Sequence, residues 1–160
     1  MNQDIASLFA GSDDEGLLLA LHRSIQNPCN DAQRTFRETW DAVDIVHGET
    51  DGLETLLVLG APLEDYAVAF SKLGMSAVPP ILARVLELIP PGLQKTRDKK
   101  ALKEHLPSRY DELTELTSEF CAACSAFAPI AARYVREHRG DFCADVGNNA
   151  REAEPGGPGG

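Results

Sequence analysis

A chain of 160 residues with 25 acidic against 15 basic side chains carries a formal charge of -10. That balance disfavours direct binding to nucleic acid, whose phosphates are drawn to basic patches, and it favours partners with basic surfaces. Hydrophobic content of 43% supplies the core of one domain with tails, and no apolar run approaches the roughly 20 residues that a membrane helix needs.

The first sixteen residues hold Asp4, Asp13, Asp14 and Glu15 with no Lys or Arg, and only Ile5, Leu8 and Phe9 as anchors. They are expected to form a flexible acidic arm with at most one helical turn. They also lack the basic region and apolar core of an export signal, so an unexported, cytoplasmic protein with reduced thiols is expected.

From Leu17 the run LLLALHRSIQ predicts a helix that Pro28 stops, with His22 as a half-buried structural histidine among its apolar neighbours. Asn30 and Gln33 form a capping-box pattern for the next helix, where Phe36, Trp40, Val43 and His47 share a face and Gly48 closes. Its outer face carries Glu38, Asp41 and Asp44, the first two placed four residues after Arg34 and Arg37 and so open to pairing with them.

Three short helices closed by glycine follow: 51–59 before Gly60, 63–73 before Gly74, and 77–89 before Gly92. Asp51 and Glu54 read as a capping box for the first. Pro79 and Pro80 fit the third only within its first turn, and Leu82, Val85, Leu86 and Ile89 form its buried face. Residues 93–109 concentrate Lys95, Arg97, Lys99, Lys100, Lys103 and Arg109 against Asp98 and Glu104. Without an aromatic residue for stacking, this reads as a solvated connector with a short helix rather than a nucleic-acid site.

The clearest periodicity lies between Ser108 and Phe142. Leu113, Leu116, Phe120, Ala123, Phe127, Ile130 and Tyr134 alternate at three and four residues, which predicts a long core helix broken near Ala128. Ser108 and Asp111 form the capping pair, Pro129 fits the first turn of the second half, and Gly140 caps the end. Away from this seam stand Asp111, Glu112, Glu115 and Glu119, with Arg109 as their one neutralising neighbour on the helix. Residues 143–160 hold too little apolar content to fold. Alternating strand patterns and hairpin dipeptides are missing, so the expectation is an all-α domain of about six to eight helices over 17–142.

Catalytic and cofactor motifs are missing as well: no G-x-S-x-G, H-E-x-x-H, P-loop or dinucleotide glycine pattern. No enzyme, metal or cofactor is expected. Cys121 and Cys124 have a spacing used in zinc and redox sites, with Cys29, Cys143, His105 and His138 scattered elsewhere. A metal- or redox-linked enzyme or sensor using Cys121 and Cys124 is therefore the alternative from another class, beside a structural interaction subunit whose acidity serves only dispersal.

The succession DGLETLLVLG, AFSKLG, ARVLELIPPG and YVREHRGDF, in this order and spacing, resembles the bacterial DNA-mimic protein family over residues 17–142. Where many members have paired glycines followed by an aromatic, this chain reads Asp51, Gly52, Leu53. The resemblance implies an acidic, homodimeric protein whose carboxylates imitate duplex phosphates and occupy a basic DNA-binding transcription regulator. Mimic candidates are Asp111, Glu112, Glu115 and Glu119, with Glu38, Asp41, Asp44, Glu49, Asp51 and Glu54 as a second set. Leu53, Leu57 and Tyr66 are expected to supply the apolar centre of the dimer, and the basic 95–103 segment its charge complement.

Overall fold

The computed structural model describes residues 5–48 and 52–143. Glu49, Asp51 and residues 144–160 of the tail lie outside the described residues. The described chain is all-α, without a strand, and holds eleven α-helices where six to eight were expected. The extra count comes from short helices in the arm, in the connector and at the end of the domain, 139–143.

The helices are α1 (Ile5–Gly11), α2 (Asp14–Ser24), α3 (Asp31–Gly48), α4 (Leu53–Val58), α5 (Leu63–Leu73), α6 (Val78–Glu87), α7 (Pro91–Thr96), α8 (Lys99–His105), α9 (Tyr110–Ala123), α10 (Phe127–Glu137) and α11 (Arg139–Cys143), with a 3-10 turn at Leu106–Arg109. At the centre, α3 touches α4, α5, α9, α10 and α11. Around it, α5 packs on α6, α6 on α9, and α2 on α10.

The Asn30 side chain caps α3, accepting from the Gln33 amide at 2.9 Å, while the Gln33 carboxamide reaches one residue past the expected box to accept from the Cys29 amide at 3.2 Å. The covered stripe differs from the expected one. Ala32, Phe36, Thr39, Ala42 and Val46 are buried, whereas Trp40 and Val43 are half-buried and His47 is exposed. A helix ringed by five others buries more than one face, so a single periodic stripe misplaces its centre. Thr39 enters this interior because its hydroxyl is satisfied on its own helix, 2.9 Å from the Thr35 carbonyl and 3.0 Å from that of Phe36.

The seam expected along 113–134 forms. Leu113, Leu116, Phe120, Phe127 and Tyr134 are buried, the break falls at 124–126, and Pro129 sits in the first turn of α10. Phe120 meets Phe70 edge-on at 5.9 Å, and Phe127 meets Trp40 at 6.4 Å, offset geometries that suit the aromatic quadrupoles. Pro79 and Pro80 lie in the first turn of α6 as anticipated.

Several local expectations are corrected. The arm is partly helical: Ile5 and Leu8 of α1 are buried, and Arg139 stacks over Phe9 at 5.3 Å. Gly92 lies inside α7, since the Pro90-Pro91 pair stops α6 and starts the next helix. Gly140 is likewise internal to α11, which runs through Cys143. The Ser108 hydroxyl donates back to His105 at 2.7 Å, and the 3-10 turn leads into α9 without a side-chain cap. The basic connector is anchored by the fully buried Leu102 and Leu106. Arg97, at positive φ, donates to the Ala61 carbonyl at 3.2 Å. Finally, Leu53 and Leu57 are fully buried and Tyr66 is 8% exposed, so they belong to the core and form no dimer interface. Among the described residues, the exposed large apolar side chains are Leu19, Leu59, Val68 and Tyr110.

Candidate functional site

The α9 acids share one helix but meet different neighbours. Asp111, Glu112 and Glu115 are exposed. Glu112 takes Arg109 at 3.1 Å, and Glu119 takes Arg84 of α6 at 2.6 Å. Asp111 and Glu115 face no cation among the described residues and, four residues apart, stand about 6 Å from each other along the axis.

The second set does not form a row. Steps of three residues turn a helix by about 60° each, so Glu38, Asp41 and Asp44 diverge. Glu38 faces α5 in a polar hollow of about 250 Å³ with Arg34, Asp65 and Lys72. Partial burial and then the nearby Asp65 charge raise its carboxyl above the usual range. In the same hollow, the Lys72 ammonium donates to Asp31 at 2.9 Å and lowers that carboxyl. Asp41 is held by Arg37 at 3.2 Å and sits 3.3 Å from His22 of α2, whose ring stacks on Trp40 at 5.1 Å. The half-buried His22 is thus as expected. Asp44 is exposed beside a groove, and Glu54 is half-buried on α4. No ion pair or hydrogen bond among the described residues links Glu38, Asp41 or Asp44 to the α9 set.

Burial of Cys124, followed by the neighbouring Cys121, pushes the Cys124 thiol up to about 12, and burial raises Cys121 as well. A thiol held in its protonated form is a poor metal ligand and nucleophile. Among the described residues, no three His, Cys, Asp or Glu side chains gather with metal-binding geometry.

One feature escaped the pattern of the sequence: an open groove of about 340 Å³ between α2, α3 and the start of α10. Its signal was available in the Trp40, Val43, His47 stripe, which reads as core but borders solvent. Also among the described residues, no helix is long and apolar enough to cross a membrane.

Fold and surface together define an all-α domain with an open acidic helix face and a separate apolar groove. No family model, curated protein or solved structure matches the chain.

Proposed function

We propose that the protein is a non-enzymatic acidic interaction domain that occupies the basic surface of a cytoplasmic partner. In its sharpest form it is a DNA mimic directed at a transcription regulator. The observation that carries this reading is the pair Asp111 and Glu115, exposed one turn apart on α9 and left without a cation among the described residues. Their separation of about 6 Å is of the order of the distance between phosphates along a strand, which are set by a rise of about 3.4 Å per residue. Glu112 widens the face and Glu119 closes it against Arg84. Of the three α3 members of the second set, Asp44 is the exposed one, because Glu38 and Asp41 are turned to neighbouring helices.

Charge-dominated association weakens steeply with salt. The immobilised protein, challenged with cell extract, is expected to capture a basic DNA-binding protein at about 50 mM salt and to lose most of it at about 200 mM. Duplex DNA should displace the captured protein, and the Asp111→Lys, Glu115→Lys double variant should not retain it. Absence of any such partner at low salt would sink the mimicry.

A further inference from the structure

The groove between α2, α3 and the start of α10 has an apolar floor and an acidic rim. Leu18, Leu19, Trp40, Val43 and Phe127 line it, and Leu19 is left 41% exposed. Glu15 stands on one side, from the first turn of α2, and Asp44 on the other, from α3. Neither carboxylate meets a cation among the described residues, and His47 is the one basic side chain in the lining. His47 belongs to the last turn of the 18-residue α3, and a helix C-terminus attracts positive charge.

We infer that this groove takes the apolar anchor of a basic amphipathic segment of a partner protein, a leucine- or phenylalanine-sized side chain against Trp40 with Lys or Arg beside Glu15 and Asp44. The inference deepens the proposed function by adding a shape-selective anchor to the charged α9 face. A volume of about 340 Å³ is at the small end of ligand pockets, which run from about 300 to 1,000 Å³, and suits one or two anchor side chains. Helix-in-groove recognition has this composition, with apolar anchors at helical spacing and charges at the rim.

The other occupants fit less well. Residues 144–160 offer Val146 as their one large apolar residue and carry Asp145, Glu152 and Glu154 against Arg151, the wrong charge for this rim. A second copy would present its 95–103 segment, whose Leu102 is fully buried in its own core.

Trp40 is the chain's single tryptophan, so its emission reports on the floor directly. The probe is a synthetic leucine-lysine helical peptide of about 18 residues, above the length of about 12–15 below which isolated helices are marginal. A companion peptide has alanine in place of leucine. The leucine peptide should change Trp40 emission saturably, and the alanine peptide should not. Leu19→Ser and the Glu15→Lys, Asp44→Lys double variant, all at surface positions, should each weaken the leucine peptide by about tenfold or more, as loss of an anchor does. Glu115→Lys, which tests the α9 reading, should shift it by no more than about twofold, as a distant exposed charge does. Loss with Glu115→Lys but not with Leu19→Ser would place binding on α9 and overturn the groove. So would a silent Trp40, or self-association of the protein alone that Leu19→Ser abolishes. The groove result stands whether or not a DNA-binding protein is captured, so the two readings fail separately.

Discussion

The Arg84 guanidinium of α6 lies 2.6 Å from the Glu119 carboxylate of α9, which commits one of the four α9 acids to the fold and leaves Asp111 and Glu115 as the open pair. The two side chains are 51% and 39% exposed, and such a solvated pair contributes less than about 1 kcal/mol. Arg84→Ala is therefore expected to change urea-unfolding stability little while releasing a carboxylate onto the acidic face. Partner affinity should rise a few-fold at low salt and return to that of the parent at high salt. Glu119→Ala should leave binding nearly intact where Glu115→Ala weakens it. Equal losses from both would show that Glu119 is as available as Glu115.

Gly52 has φ 59° and ψ -120°, and a Cβ placed there would come 2.4 Å from the Thr117 methyl of α9. The contact exists because the Thr117 hydroxyl accepts from the Leu53 amide at 3.3 Å, satisfying an amide of the first turn of α4 from another helix. Gly52→Ala combines backbone strain of about 1–3 kcal/mol with that clash, so a loss above about 2 kcal/mol is expected by chemical denaturation. Gly74→Ala keeps a φ of 92° but meets open space, and should cost only about 1–2 kcal/mol. The Gly52→Ala loss should shrink in a Thr117→Ala background, the coupling expected of residues in contact.

The contrast between these positions explains which features were legible from the sequence. The α9–α10 seam and the Pro129 entry follow from local spacing and proline sterics, and both formed as expected. Arg84 and Glu119 are 35 residues apart, outside any rule of helical neighbours, so the α9 stripe looked freer than it is. Leu53 and Leu57 belong to a six-residue helix, too short for periodicity to separate a buried face from an exposed one, so the sequence pattern leaves them on the surface. Trp40 failed for the opposite reason, because α3 is covered on several sides and its apolar stripe extends beyond the core to the groove.

The last helix is latched to the central one by two amides. Asn30 and Gln33 both donate to the Asp141 carbonyl, at 2.8 and 2.9 Å, while Phe142 packs edge-on against Phe36 at 5.9 Å. Asn30→Asp keeps an oxygen to cap α3 but loses the donor to Asp141, whereas Asn30→Ala loses both. Hydrogen exchange should speed up in α11 for both variants, but global stability should fall by about 1 kcal/mol only for alanine, the usual cost of a lost cap. If exchange in α11 were unchanged in both, the latch would not hold the C-terminal helix.

Glu38 carries a raised carboxyl pKa in the hollow beside Asp65, chiefly from desolvation. A raised folded-state pKa means that protonation favours the native state, so this contribution is complete below the ordinary value of 4.5 and is lost as pH rises through the folded pKa. Glu38→Gln removes the unfavourable charge, and at pH 7 it should stabilise by no more than a few tenths of a kcal/mol, given solvent screening. That advantage should disappear in acid. A Glu38→Gln variant less stable at neutral pH would mean that the attraction of Arg34 and Lys72 outweighs burial.

Cys124 provides the corresponding prediction in alkali. Burial pushes its thiol from the ordinary value of 9.0 up to about 12, so the unfolded chain loses this proton at a lower pH than the folded one. Its contribution to stability is complete below about 9 and is lost as pH rises from there towards about 12. Cys124→Ala should flatten the fall in unfolding free energy over that alkaline interval, at the cost of a small cavity at the end of α9. At pH 8, iodoacetamide should modify the exposed Cys29 readily and reach Cys124 only after denaturant is added, because the thiolate is the reactive species. Mass-spectrometric mapping of the alkylated sites checks the order. Labelling of Cys124 as fast as Cys29 in the native protein would show that the thiol is neither buried nor held protonated, and would return the Cys121 and Cys124 pair to consideration as a reactive or metal-binding site.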